Sequence, residues 1–352
     1  MLTDTEIVAI IFANLTESLG FDSDKLADNR TKAWNYYYNR PRGDEIAGRS
    51  IVQSSDVSDM VEAVLSNLAP ILTNETLIQF EANGEEDESQ ATLETDFVAW
   101  MINGANQGYI QIMSAIKDAL LLRNGFIKVW VKKTDDERKY SRTGISEFEI
   151  DAEIEQSNPS KTITVVEVED GEAPGTLDVL FRERTHTREL RVDAIAPENI
   201  LYSPNTDSAY ISDSKFTAER KYLSVSDLLE MGYPKDKVER AQSIDTSTQA
   251  DRQARRQDDK TQNLDDGGDP SQRMIETYDI NMMIDIDEDG KAELRHLHLV
   301  GNELMLNELV DWIPLATGSP FMIPHRIYGQ SIYDKLREIQ DSKTYSLRQW
   351  HD

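Results

Sequence analysis

Residues 325–352 read H-R-I-Y-G-Q-S-I-Y-D-K-L-R-E-I-Q-D-S-K-T-Y-S-L-R-Q-W-H-D, and this stretch sets how the rest of the chain is understood. Gly329 and Gln330 form a break. Ser331 then stands at a helix N-cap with Asp334 three residues on, the spacing of a capping box. Ile332, Leu336, Ile339, Leu347 and Trp350 follow at near-helical intervals, with a polar gap at Ser342 and Lys343. No Gly or Pro stops the helix before Asp352. The spacing predicts an amphipathic helix whose apolar stripe is still running at Trp350 and needs a surface to pack on. That surface is expected from a partner chain or from polypeptide beyond Asp352.

Composition excludes several classes. At 352 residues the chain is long enough for two or three domains with a sizeable core. Hydrophobic residues make up 39%, and no apolar run approaches the roughly 20 residues a membrane span needs. Residues Ile7–Phe12 are too short and too acidic in their flanks for a secretory signal. There is no cysteine, which rules out disulfides and thiolate metal sites. The formal net charge is −28, which opposes loose nucleic-acid binding. Exposed charges are nonetheless screened over about 8 Å at physiological salt. The total therefore describes solubility and self-repulsion, and a protein this acidic can still enclose DNA.

The first third reads as helical. Thr3 and Glu6 make a capping box, and Ile7, Ile10, Ile11, Leu15 and Leu19 form one stripe. A second helix is predicted from Ser23 to Asn39, its Trp34, Tyr36, Tyr37 and Tyr38 serving core or subunit contact. Arg40-Pro41-Arg42-Gly43 ends it. A further helix is capped by Ser55 or Asp56 and buries Val57, Val61, Val64, Leu65 and Leu68, with Pro70 near its end. Thr76–Glu81 reads as a short strand, Ala82–Thr92 as an acidic loop, Leu93–Asn103 and Tyr109–Arg123 as helices, and Phe126–Lys133 as a strand. The middle is antiparallel β: Phe148–Gln156, Thr162–Glu169, Thr176–Arg184 and Glu189–Ile195. Short helices follow at Val225–Met231 and Lys235–Gln242. Ser243–Arg273 is almost free of apolar residues and is expected to be a flexible insertion. Strands resume at Met274–Asp285, Glu293–Leu299 and Glu303–Val310. The predicted class is α+β: a helical N-terminal third, an antiparallel β-rich middle and a C-terminal amphipathic helix. The predicted parts are residues 1–44, 45–146, 147–320 (with the insertion at 243–273) and 321–352.

Three local patterns bear on chemistry. Arg182, Arg184, His186 and Arg188 share one face of a predicted strand. They suit either phosphate or acidic neighbours, and the excess of acid in this chain favours pairing. Asp285-Ile286-Asp287-Glu288-Asp289-Gly290 matches the start of an EF-hand calcium loop, in which alternate carboxylates aim at one point. Its twelfth position is His296, where a bidentate Glu is required, and strands flank it where helices should. A β-hairpin turning at Asp289-Gly290 is the favoured reading. Asp285, Asp287 and Asp289 stay the candidate ligands for a divalent cation, and no other cofactor is expected. His296 and His298 share a strand face without a third ligand in view. No G-x-S-x-G, H-E-x-x-H or P-loop pattern occurs, so no enzymatic activity is expected.

Three stretches resemble the portal (head-to-tail connector) proteins of short-tailed double-stranded-DNA bacteriophages. The first is Gly48-Arg49-Ser50 followed by the Val57–Leu72 helix with Pro70. The second is Pro197-Glu198-Asn199-Ile200-Leu201 leading to Pro204. The third is the Asp285–Leu294 hairpin, then His325, Gly329, Ser331 and Asp334, with Gln340, Lys343, Thr344 and Arg348 beyond. Each is weak alone, but their joint order along roughly residues 45–350 is fairly specific.

The resemblance implies a subunit of a homo-oligomeric ring, usually of twelve, at one capsid vertex in the virion, assembled in the host cytoplasm. Double-stranded DNA would pass through the channel in packaging and ejection. Capsid, scaffolding, terminase and tail-adaptor proteins would be partners, and no membrane is involved. Residues up to about 320 would form the wing and the start of the core, and the helix from Ser331 would enter the stem lining the channel. A second stem helix, the clip and any crown do not follow, so a C-terminally truncated product is expected. Lys335, Arg337, Lys343 and Arg348 are the candidates on the stem helix for contact with DNA or a neighbouring stem, with intersubunit salt bridges to Glu338 and Asp341 as the alternative. A channel making about 6–10 phosphate contacts would hold DNA with strongly salt-dependent affinity, so a mostly acidic wall with few cations suits sliding. The other functions considered are a virion or scaffold protein without a channel, and a metal-dependent hydrolase using Asp285, Asp287, Asp289 and His296.

Overall fold

The computed structural model describes residues 2–41, 43–72, 78–82, 84–171, 173, 176–242, 254–255 and 269–352. The chain divides into two compact units. One comprises Met1–Val129, Val192–Val225 and Pro234–Asp352, and the other Trp130–Arg191 and Ser226–Tyr233.

Helix α1 (Asp4–Asp22) opens on the predicted capping box. The Thr3 N–H donates to Glu6 Oε2 at 2.8 Å, and the Glu6 N–H donates to Thr3 Oγ1 at 3.4 Å. Its buried residues, Ile7, Ile11, Leu15 and Ser18, follow the i, i+4, i+8, i+11 pattern of one helix face. A π-helical turn at Ser23–Ala27 joins α1 without a break to α2 (Asp28–Tyr37). The predicted boundary at Ser23 is therefore a change of phase. The wide turn rotates the inward face so that Leu26, Arg30, Ala33 and Trp34 are buried.

Helix α3 (Asp56–Leu72) buries Val57, Val61, Leu65 and Leu72. The predicted strand at Thr76–Glu81 is not seen where the structure describes it, since Ile78–Glu81 has no strand. Thr76 and Leu77 lie outside the described residues. The acidic loop is shorter than expected. Helix α4 (Glu88–Ala99) begins within it, continues through a π segment (Trp100–Ala105), and is followed by α5 (Gly108–Leu122).

Strand β1 (Gly125–Ile145) runs far past the predicted Lys133. The predicted strand Phe148–Gln156 is instead helix α6 (Glu147–Ile154). The period-two pattern of Phe148, Ile150, Ala152 and Ile154 competes with a capping box in which Ser146 N–H donates to Glu149 Oε2 at 2.8 Å, and the cap prevails. Strand β2 (Lys161–Asp170) pairs with β3 (Leu177–Ile195), a single strand where two were predicted. The second unit has its own core of Ile163, Val179 and Phe181, with Tyr140, Ile145 and Ile150 packed against it.

The remaining strands are β4 (Ile200–Tyr202), β5 (Phe216–Ser224), β6 (Met274–Ile284), β7 (Glu293–Val300), β8 (Glu303–Leu309) and β9 (Leu315–Gly318). They include two helical interruptions after β5, α7 (Val225–Glu230) and α8 (Lys235–Arg240). One sheet has the order β2-β3-β1-β9 and the other β4-β5-β6-β7-β8. The five-stranded sheet is antiparallel throughout, with Ala218 opposite Ile280 and Ile280 opposite Leu297. Helix α1 covers one face of it: Ile7, Ile11 and Leu15 pack with Phe216, Ala218, Ile280, Met282, Leu297 and Leu299. Each fully buried aliphatic side chain there contributes about 1.5–3 kcal/mol. Most of the predicted insertion Ser243–Arg273 lies outside the described residues.

The C-terminal helix α9 (Ile332–His351) has the predicted capping box at Ser331 and Asp334. Gly329 precedes it at a site where a Cβ would meet the Phe321 carbonyl oxygen at 2.2 Å, so only glycine fits. The whole is α+β, with N-terminal helices, a β-rich middle and a C-terminal helix.

Candidate functional site

Helix α9 carries most of the residues singled out from the sequence, and its inward face follows the predicted apolar stripe only at its start, through Ile332 and Leu336. Ile332, Tyr333, Gln340 and Thr344 are buried, while Ile339 is 57% and Trp350 82% exposed. The apolar part of the seam is confined to the first two turns, where Ile332, Tyr333 and Leu336 join α3 and α5 residues such as Val61, Leu65, Leu120 and Leu121.

Beyond that the seam is polar. Gln340 Oε1 accepts from Val57 N–H at 2.9 Å, and Thr344 Oγ1 accepts from Ser54 N–H at 3.1 Å. Arg348 Nε donates to the Val52 carbonyl at 3.1 Å, and Asp352 Oδ1 accepts from Ser50 N–H at 2.6 Å. These side chains recur every fourth residue from 340 to 352, so they form one row along the helix. The segment that contains Ser50, Val52, Ser54 and Val57 is thus held along α9 by side chains acting as the second strand of a ladder.

The start of α9 is fixed from another direction. Arg123, at the end of α5, places Nε and Nη2 on the two Asp334 oxygens at 2.8 and 2.7 Å. Burial opposes ionisation of Asp334, but Arg123 and the Ser331 backbone outweigh it and hold the carboxyl below its ordinary range.

Of the four candidate stem cations, two are committed within the chain. Lys343 Nζ lies 2.6 Å from Asp56 Oδ1, and this bond lowers the Asp56 pKa. Arg348 spans Asp44 at 3.0 Å and Glu45 at 3.2 Å, which raises its own pKa. Lys335 sits 5.7 Å from the Phe321 ring centroid, and Arg337 lies 3.9 Å from Glu338. Both are exposed. Asp341 accepts from the Tyr36 hydroxyl at 2.9 Å.

The Asp285 loop joins β6 to β7 as a hairpin, with Ile284 opposite Glu293. Asp285 Oδ1 accepts from Glu288 N–H at 2.7 Å and Asp289 N–H at 3.2 Å, and Oδ2 from Gly290 N–H at 2.8 Å. Glu288 and Gly290 adopt positive φ, so the turn is spread over more residues than Asp289-Gly290 alone. Oxygens of Asp285, Asp287 and Asp289 lie within 4.8 Å of one another. The donor set suits a hard cation, although Asp285 already spends its lone pairs on the turn. His296 is not with them: its Nε2 meets Asp279.

That Asp279 belongs to a charged cluster on the face of the five-stranded sheet opposite α1. Lys128 Nζ bridges Asp279 and Glu219, the latter at 2.6 Å. Burial disfavours every charge here, yet the mutual pairing raises Lys128 and drives Asp279 well below the carboxylate range. His298, next to it and buried, is pushed down to about 4 by desolvation. The two histidines thus serve a sheet cluster.

A second buried cluster was invisible in the sequence because it draws on distant residues. Arg255 holds Glu198 through Nε at 2.6 Å and Nη2 at 2.9 Å, and Asp118 through Nη1 at 2.6 Å. Its guanidinium lies 5.0 Å from the Trp34 ring centroid. The two-pronged grip outweighs burial at Glu198 and lowers it. Asp118, held once, is pushed by burial up to about 6. The cationic row of β3 pairs with acidic neighbours in part: Arg182 and Arg184 lie 3.0 and 3.1 Å from Glu137.

The capped helix and the Gly48–Ser50, Pro197–Pro204 and Asp285–Leu294 stretches all lie within the span matched by one family. A family model described as the phage SU10 portal protein matches residues 7–352, and the chain belongs to that family. No curated protein matches the chain. Portal membership carries with it an oligomeric ring and association with the capsid.

Proposed function

We propose that this chain is one subunit of a ring, usually of twelve, that sits at a capsid vertex and forms the channel through which double-stranded DNA is packaged and ejected. The observation that carries this reading is the family match over residues 7–352. Terminase, scaffolding protein and tail adaptors are the partners such a ring would engage. The role is mechanical, without catalysis.

The chemistry of α9 supports a lining that guides DNA without gripping it. Lys343 and Arg348 are neutralised by Asp56, Asp44 and Glu45, so the cations left to approach phosphate on this helix are Lys335 and Arg337. Two cations per subunit, with Glu338 and Asp341 beside them, give weak and salt-sensitive contact, which suits a sliding duplex. Lys343 and Arg348 act instead to hold the Ser50–Val57 segment. A divalent cation at Asp285, Asp287 and Asp289 would stiffen the hairpin and take no part in DNA transport.

The test is complementation of a portal-deficient phage. The double variant K335A/R337A is expected to assemble rings and to package DNA with an altered salt dependence. Unchanged packaging at every salt concentration would remove these residues from the channel. Absence of rings from the unaltered protein would remove the reading itself.

A further inference from the structure

Helix α4 and the π segment after it are apolar on two opposite sides. Ala91, Thr95 and Val98 turn toward the chain's own body: Ala91 is buried, and Thr95 Oγ1 accepts from Phe80 N–H at 3.0 Å. Leu93, Phe97 and Trp100, spaced i, i+4, i+7, lie on the other side, half a turn away. They are 70%, 58% and 61% exposed. Trp100 is also pre-positioned. Its ring centroid is 6.1 Å from that of Phe97, and the next turn offers Gly104, where a Cβ would sit 3.1 Å from Trp100 Cδ1. A continuous exposed apolar stripe that includes a Trp is the kind of surface that marks a binding face.

Charge selects the occupant. Between Arg49 and Lys117 the chain has no Lys or Arg, while Glu86, Asp87, Glu88 and Asp96 are exposed around the stripe. That field repels nucleic acid and anionic surfaces. The opposite charge is present elsewhere on the same chain: Lys132, Arg138 and Lys139 are exposed along β1, next to Arg142, which pairs with Glu153 at 3.3 Å. A surface and its complement on one polypeptide make a heterologous contact, and repetition of such a contact closes rings.

We propose that the Leu93–Phe97–Trp100 stripe is a subunit–subunit contact, covered in the assembled protein by a cationic surface of the adjoining copy. The proposal rests on the ring reading above and specifies where copies meet. Displacing the stripe with charge leaves each subunit folded, because these side chains do not contribute to the buried core.

The experiment is sedimentation of the purified full chain, wild type and L93E/F97E, with far-UV circular dichroism as a folding control. Wild type is expected to sediment as rings, and the variant to lose at least about tenfold in ring fraction with unchanged dichroism. The absence of cysteine allows a second arm, in which F97C carries a thiol-linked photo-cross-linker. Cross-links between copies of this chain support the contact. Rings from L93E/F97E at the wild-type level overturn it while leaving the portal reading intact. Intact F97C rings that give no copy-to-copy cross-link, or cross-link only to capsid protein, also overturn it. Failure of the wild type to form rings removes both.

Discussion

Gln340 accepts the backbone N–H of Val57 at 2.9 Å across 283 residues of sequence. Val57 lies in the first turn of α3, whose free N–H groups need acceptors. Ser55, which with Asp56 is one of the two caps the sequence offers, donates instead to Asp59 Oδ2 at 2.8 Å. The C-terminal helix therefore caps an N-terminal one and holds the segment between Ser50 and Val57 along itself.

Replacing Gln340 by Leu removes that acceptor from a fully buried site. The orphaned N–H is expected to cost about 1–3 kcal/mol. Urea denaturation measures it, and a midpoint equal to that of the wild type would mean the cap is immaterial.

Arg348 ties the same segment through Val52, Asp44 and Glu45. R348A is expected to cost about 1 kcal/mol, since the ion pairs are only partly shielded, and to speed hydrogen exchange selectively between Ser50 and Val57. Uniform protection across that segment in the variant would show that Arg348 does not hold it.

Arg255 neutralises two buried carboxylates. R255A strands both charges and is expected to lower stability by about 3–5 kcal/mol. The triple variant R255A/D118N/E198Q should recover much of that loss because nothing charged is left buried. Thermal melts of the two proteins decide the matter, and equal melting temperatures would refute the assignment.

His298 is neutral in the folded protein down to about pH 4 because burial disfavours its charge. Unfolded, it takes up a proton near its ordinary pKa of about 6.5. Between those values the unfolded state binds more protons, so stability falls as pH falls through that window and is fully present above it. The stability difference between wild type and H298N should therefore shrink by up to about 3 kcal/mol from pH 6.5 to pH 4. A difference independent of pH would show that His298 is solvated.

The sequence disclosed what is local. The capping boxes at Thr3–Glu6 and Ser331–Asp334, the amphipathic α3 and the β6–β7–β8 meander depend on neighbours within a few residues, and all were legible. What depends on distant partners was not. The inward face of α9 is not legible because its buried members Gln340 and Thr344 are polar and turn inward only to meet backbone groups of Val57 and Ser54, while Ser342 and Lys343, read as a gap in the stripe, are exposed. Strand β5 is absent from the sequence reading, and its buried Glu219 is matched by Lys128 from β1, a partner distant in sequence. The π turn at Ser23–Ala27 looks like a boundary because it shifts the helical phase. In the Asp285 loop the three carboxylates lie close together, while His296 belongs to Asp279 through strand register no single-segment reading supplies.

The proposed ring requires that copies of this chain enclose a channel. Negative-stain electron microscopy of the purified protein tests it most directly. Closed rings with a central hole about one DNA duplex wide are expected; a uniform field of single subunits, or assemblies with no hole, would rule the channel out.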